Sequence, residues 1–484
     1  MSEHPRENEE PMGGEFLNED EAAEEFIPDD DDMAMDSDGD EGGDDNNLES
    51  EEILLQNDSI AYFDQHRDSV FCIAQHPLHP SLIATGGSEG EGDDAPGKGY
   101  LIDASAASSR PVLPPSFSSD PNSRPESMAL DALFSIDGHS DSISALAFTL
   151  PKGQFLVSGG MDGRVRLYAV GVMPDQPVKF KWMAEAAEVP EVNWILPCPD
   201  LANPHTFAVG ASDGSVWVYT VSPKDKAAPL QIVNTYYLHT GSCTAGAWTP
   251  DGKMLATVAD DSSMYVWDVF GEAAAHGITA ENGMSVVSLT ANDQRFAVEG
   301  GLYSLAVDPK GAFVATGGAG GGIRIVSLPR LGSKPSEVSP GGQILASLQT
   351  LNDTVEALSF SSPIVGAGQS QITLLAAGCV DGTIGVFDAS RRFAVRRTLP
   401  GAHEDFSVVK LDFVPGSWLL TSCGMDGAVR RWDLRAAAEQ CLVKEWKGHR
   451  GDGEGGGVLG FVQGETGERV ITAGDDGVVL VFEA

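Results

Sequence analysis

Residues 402–434 read AHEDFSVVKLDFVPGSWLLTSCGMDGAVRRWDL. His403 stands near the start, Asp426-Gly427 marks a turn late in the stretch, and Trp432-Asp433 lies at its close. Between these marks, short runs rich in Val, Leu and Trp are separated by Pro-Gly and Asp-Gly, the pattern of consecutive strands joined by hairpins. The same plan returns at intervals of roughly fifty residues, and self-similarity at that period marks a β-propeller built blade by blade. The fold class is therefore all-β.

Eight such units follow one another from His66 onward. The first, HRDSVFCIAQHPLHPSLIATGG, ends in a Gly- and acid-rich insertion before GYLIDA. Residues 104–136 follow as a Ser- and Pro-rich stretch, read as an exposed insertion because its first part is too polar to pack. The second unit starts at Gly138. The third, EVPEVNWILPCPD then HTFAVGASDGSVWVYTV, lacks the opening His, and the fourth starts at His239. The polar stretch 271–295 carries a brief helical signal at 272–276. The fifth unit, GGLYSLAVDPKGAFVATGGAGGGIRIVSL, has Gly where the turn Asp belongs; the sixth runs over 351–389. The opening stretch is the seventh, and the eighth starts at Gly448-His449. That last unit supplies three strands, so its fourth is expected from the β-prone run 59–63, since ring closure otherwise leaves open sheet edges. The count predicts eight blades over 53–484; seven blades with an irregular extension is the alternative.

Charge bounds the partners. The 484 residues carry a formal net charge of -42, and 1–52 hold 23 Asp or Glu against one Arg, so the tail carries -22 and the remainder -20. The tail offers almost nothing to bury against the entropy of ordering and reads as disordered. An acidic polyelectrolyte gains nothing from the counterion release that drives binding to a phosphate backbone, so the sequence predicts no direct nucleic-acid partner. Basic proteins or peptides are the partners that its charge favours. Cys72, Cys198, Cys243, Cys379, Cys423 and Cys441 form no C-x-x-C pair and read as buried hydrophobes. With neither a signal-peptide pattern nor a run of about eighteen apolar residues, no membrane contact is expected. A monomer is expected, in a reducing compartment: cytoplasmic, and also nuclear.

Several motifs imitate chemistry. Asp36, Asp38 and Asp40 begin like a calcium loop, but its sixth position is Glu41 and its twelfth Asn47, without flanking helices. Ser37 and Ser50 match acidophilic kinase sites. The glycines 317–322 sit in a strand-to-strand turn with no helix to aim a dipole at a phosphate, and the sequence around Lys98 lacks the Ser or Thr that would hold magnesium. His403, Ser422 and Asp426 suggest a hydrolase triad, yet with Trp432 they recur as His239, Thr257, Asp261 and Trp267. A triad needs one exposed nucleophile and an oxyanion hole, not several copies per chain. No enzyme, cofactor or metal site is read from the sequence.

The Gly-His, Asp-Gly and Trp-Asp marks resemble WD40 repeats, and they recur in register over 60–484. More narrowly, the acidic tail before HRDSVFCIAQHP, the His-less third unit with a Trp in its first strand, and the turns CVDGTIGVFD and GMDGAVRRWD resemble the angio-associated migratory cell protein family. The resemblance implies an eight-bladed WD40 propeller in which the repeated His, Ser or Thr, Asp and Trp fasten each blade internally. The family's fungal relatives act as dedicated chaperones of the L-ten-type large-subunit ribosomal protein. A chaperone that captures a basic, newly made ribosomal protein by its N-terminal segment, in 60S subunit assembly, is therefore the expected function. A multi-partner scaffold in signalling or cell migration is the alternative. In WD40 propellers the top face is lined by residues flanking the first apolar residue of each innermost strand and by the residue before the turn Asp. In this sequence those positions are Phe71, Met161, Glu191, Asn193, Asp260, Tyr303, Glu356, Met425 and Asp475. Four are acidic and none is Lys or Arg, while the aromatic and Met residues among them suit the stems of Lys and Arg.

Overall fold

The computed structural model describes residues 56–484 apart from 91, 93–94, 108–127, 175, 333, 366–370 and 452–455. The tail 1–52, with Asp36, Asp38, Asp40, Ser37 and Ser50, lies outside the described residues. Residues 55–484 form one of the chain's two compact units.

Eight antiparallel sheets follow one another as blades of a β-propeller. Their first strands are Cys72–Gln75, Ile143–Phe148, Val192–Pro197, Cys243–Trp248, Leu302–Val307, Val355–Ser361, Val408–Phe413 and Val458–Val462. Each packs against the first strand of the next blade, and the eighth returns to the first, so these strands form the inner ring. The second strand of each blade is covered by neighbouring blades on both faces. It therefore reads as a continuous apolar run without alternation: every residue of Phe155–Gly160 and of Leu374–Cys379 is buried. Small residues stand where blades converge. A Cβ on Gly159 would lie 2.5 Å from Val192 Cγ1, and one on Gly378 would lie 2.6 Å from Val408 Cγ1.

A β-bulge opens the first strand of blades two to eight, where the register skips the second residue. Bulges re-aim side chains and release backbone groups from the ladder. Here, in every one of these blades but the seventh, the carbonyl of the first residue takes a hydrogen bond across the seam from the preceding blade. Ser144 Oγ donates to Val192 O at 2.5 Å, Thr244 Oγ1 to Leu302 O at 2.7 Å, and Ser304 Oγ to Val355 O at 2.7 Å. Asn193 Nδ2 and Trp194 Nε1 donate to Cys243 O at 2.9 and 3.0 Å. Cys72 and Cys423 make longer thiol versions to Ile143 O and Val458 O.

The eighth blade closes the ring. Its three strands from the end of the chain are joined by Ala61–Phe63, antiparallel to the last strand with Ala61 opposite Val481 and Phe63 opposite Val479. A fifth strand, Met128–Ala129, lies parallel to Ala61 and Tyr62. This corrects the reading of 104–136 as an exposed insertion. Ala104–Ala106 is a 3-10 turn with Ala104 buried, Ala132–Ile136 is the outer strand of blade one, and Leu130 is buried in the core of the closing blade. The polar composition that suggested a loop belongs to 104–124, whereas Leu130, Phe134 and Ile136 supply the apolar surface that a strand needs. A four-residue helix spans Glu272–Ala275.

Candidate partner-binding face

In an antiparallel blade the start of the first strand and the turn between the second and third strands lie at the same end. All nine residues anticipated for the top face fall there. Phe71 and Glu191 immediately precede first strands; Asn193, Tyr303 and Glu356 are second residues of first strands, the bulged positions; Met161, Asp260, Met425 and Asp475 immediately follow second strands. The bulge is the local reason that Tyr303 and Glu356 are exposed within otherwise buried strands.

Their surroundings differ. Phe71, Met161 and Tyr303 are about two-fifths exposed at 37%, 42% and 39%, and Glu191, Asp260 and Glu356 are exposed. Asn193, Met425 and Asp475 are half-buried. Neighbouring blades link several of them: Ser69 Oγ donates to Asp475 Oδ1 at 2.5 Å, Ser407 Oγ to Glu356 Oε2 at 2.8 Å, and Asn193 Nδ2 to Ser242 Oγ at 2.8 Å. Asn193 is thereby occupied as a seam fastener. Tyr303 holds the Gly300 carbonyl at 2.8 Å. Asp213, Glu299, Glu404 and Asp405 are further exposed carboxylates at this end, on second-to-third turns or on connections between blades. Pattern reading missed them because it took only the residues flanking the first apolar residue of each innermost strand and the residue before the turn Asp, whereas Asp213 is itself a turn Asp and Glu299, Glu404 and Asp405 stand three or four residues before their first strands. The end as a whole gathers carboxylates around half-exposed aromatic and Met side chains, a surface suited to Lys and Arg stems and heads.

Beneath that face lie the repeated polar sets. In blade seven the indole of Trp432 donates to Ser422 Oγ at 2.9 Å, Ser422 lies 2.8 Å from His403 Nε2, and His403 Nδ1 lies 2.8 Å from Asp426. His403 and Ser422 are fully buried, so neither can meet a substrate. Burial pushes the Asp426 carboxyl up, but hydrogen bonds and charge from His403 and Arg430 prevail and hold it below the usual carboxylate range. Blades two and eight repeat the pattern through His139, Ser158 and Asp162 and through His449, Thr472 and Asp476.

Blade four departs from expectation. His239 and Trp267 meet at Thr257, each 2.8 Å away, but His239 Nδ1 turns to Ser263 Oγ at 2.5 Å instead of to Asp261. Asp261 takes the backbone and hydroxyl of Thr240 and the backbone of Ser263. The physical reason is Ser263 at the turn, a hydroxyl that stands between ring and carboxylate. Burial pushes His239 down to about 4 and keeps its ring neutral.

No group of His, Cys, Asp and Glu among the described residues is arranged to hold a metal ion, and no described helix is long and apolar enough to cross a membrane.

Comparisons with known proteins agree with this architecture. The family model described as WD domain, G-beta repeat matches residues 131–169 and 230–268. The first match begins at the outer strand of blade one, where the insertion had been expected. The ribosome assembly protein SQT1 of Saccharomyces cerevisiae is 28% identical over 474 residues, covering 94% of this chain and 91% of its own. The human angio-associated migratory cell protein is 23% identical over 429 residues, covering 88% of this chain and 80% of its own. The crystal structure of Chaetomium thermophilum Sqt1 bound to the N-terminus of the ribosomal protein L10 is 57% identical, with a TM-score of 0.78, covering 89% of this chain and all of that one. At that identity and coverage, with eight blades and the fastening sets in place, the chain belongs to the Sqt1 family of WD40-repeat proteins.

Proposed function

We propose that this protein is a holding chaperone that captures a basic large-subunit ribosomal protein of the L10 type by its N-terminal segment and keeps it for ribosome assembly. The observation that carries the reading is the complex of the Chaetomium thermophilum relative with the N-terminus of L10, 57% identical over the whole of that chain. The acidic end of the propeller supports it in sign, because a Lys- and Arg-rich peptide finds carboxylates there beside aromatic and Met surface. The reading is one of binding without catalysis, since the His, Ser and Asp that imitate a triad are interior fasteners. Among the described residues Cys72, Cys198, Cys243, Cys379 and Cys423 keep free thiols, which supports a reducing compartment, the cytoplasm and also the nucleus.

The test reverses charge at Glu191, Asp260, Glu356 and Asp475 together, each to Lys, and measures binding of the L10-type N-terminal peptide across a salt series. Binding that weakens with salt in the parent and is lost in the variant, with an unchanged circular dichroism spectrum, is the expected result. Equal affinity in the two proteins would sink the top-face reading.

A further inference from the structure

Four of the seven residues 391–397 are arginine, in a chain with 30 Lys and Arg among 484 residues. They occupy blade six, on the turn before its outer strand Ala394–Leu399 and on the strand itself. This turn joins the third and fourth strands, at the end of the blade opposite the acidic face. Three observations set the cluster apart.

The first is a comparison between blades. The outer strands of blades one to seven each carry a bulge, and the skipped residue is Leu133, Met183, Val233, Val286, Leu345, Arg396 and Val443 in turn. Six are apolar; blade six alone places a cation there. Charged residues on edge strands commonly deter strand pairing. The bulge already does so in the other six blades without a charge, so deterrence does not account for Arg396.

Backbone strain is the second. Arg392 and Phe393 are consecutive non-glycine residues in the left-handed region, with φ of 57° and 59°. Such conformations are costly for non-glycine residues and persist where surrounding structure imposes them. Phe393 is buried, its ring edge-on to Phe313 at 5.4 Å, and this anchor holds the turn that displays Arg391 and Arg392 to solvent.

The third is the scarcity of counter-charge. Arg391 is 3.7 Å from Asp388, and the neighbouring Arg435 is engaged by Asp433 at 2.7 Å. Among the described residues Arg392, Arg396 and Arg397 form no ion pair, although the charge of Arg397 also reaches Asp433, and Arg397 Nη1 is buried without a hydrogen-bond partner. Arg396 lies 5.0 Å over the ring of Trp418, across the seam in blade seven, and Arg397 donates to the Ala436 carbonyl beside Arg435. One exposed carboxylate, Glu439, stands on the same loop as Arg435.

We propose that the arginines of blade six, with Trp418 of blade seven, form a docking site for the phosphate backbone of RNA. The guanidinium fork fits phosphate oxygens in pairs, and arginine against an aromatic ring offers a plane on which a base can stack. An acidic polypeptide adding as a strand is disfavoured, because the bulge at Arg396 breaks the ladder that it would need. The net negative charge that argues against nucleic acid averages over the whole surface. At physiological ionic strength charges are screened beyond about 8 Å, so the local set decides. RNA held here leaves the opposite, acidic end free.

The experiment uses the full chain and fluorescence anisotropy with a labelled single-stranded RNA of about 20 nucleotides. Polyglutamate of equal length, inorganic phosphate and phosphatidylserine vesicles are run beside it. Contact with about three phosphates gives a slope of log K against log salt near -2. The double variant Arg392→Glu with Arg396→Glu is expected to bind at least about tenfold more weakly with a shallower slope, while its melting temperature and its capture of the basic peptide stay as in the parent. The site is refuted if the parent does not bind RNA, if the variant binds it equally well, or if polyglutamate or the vesicles bind as tightly as RNA. Peptide capture is read in the same samples, so failure here is distinguishable from failure of the chaperone reading.

Discussion

Thr244 Oγ1 donates to the carbonyl of Leu302 at 2.7 Å, from the bulge of blade four into that of blade five. The acceptor is the first residue of a buried strand, and Leu302 itself is fully buried, so water cannot replace the donor. Thr244→Val keeps the shape and removes the hydroxyl. It is expected to lower unfolding free energy by about 1–3 kcal/mol, the cost of a buried carbonyl left without a partner. Urea denaturation at neutral pH measures it, and a variant as stable as the parent would show that the seam bond contributes nothing.

Acid should weaken the fold through His239. Burial holds its ring down to about 4 in the folded chain, against about 6.5 when unfolded. A folded value below the unfolded one means that stability is complete above pH 6.5 and is lost as pH falls toward 4. Linkage gives a loss of about 2 kcal/mol from this residue between pH 7 and pH 5. His239→Gln starts from lower stability, since Thr257 and Ser263 lose their ring partner, but should lose about 2 kcal/mol less than the parent over that range. Parallel pH profiles for the two proteins would exclude His239 as a source of acid sensitivity.

The closing blade depends on a segment that belongs in sequence to blade one. Met128 N donates to Ile60 O at 3.1 Å and Leu130 N to Tyr62 O at 2.8 Å, while the Leu130 side chain is buried with Ile60, Tyr100 and Ala107. Leu130→Ala is expected to cost about 2–4 kcal/mol. Hydrogen exchange should quicken at Ala61–Phe63 before it does in the middle blades. Uniform change around the ring would mean that the segment does not act on the closure.

Repetition made much of this legible. Units beginning at Gly138, His239, Ala402 and Gly448 declare their strands through turn signals and apolar runs, and blade seven holds its four fastening residues as the motif suggests. Where the sequence misled, a neighbour in space had taken over a local role. Ser263 stands between His239 and Asp261, which no spacing of His, Asp and Trp reveals. Asn193 reads as an exposed face residue until blade four is seen to supply Ser242 and the Cys243 carbonyl. The outer strand Ala132–Ile136 was hidden by its distance along the chain from its partner, Gly97–Asp103. Bulges were invisible throughout, because a skipped residue leaves the apolar pattern of a short strand nearly unchanged.

The bonds that fasten the opening carbonyls of the first strands run in one sense around the propeller, each from a side chain to the blade that follows. Most blades therefore carry both halves of the joint: a donor for the successor and a released carbonyl for the predecessor. Glu356 is an exception, a carboxylate that cannot donate and instead receives Ser407 from blade seven. Parts built in this way are interchangeable, and a blade gained or lost by duplication or deletion would find its fittings waiting on either side. Joint chemistry thus says nothing about how many parts complete the circle. The number is left to the wedge angle of each blade, set by glycines such as Gly159 and Gly378 and by the Val side chains that press against them.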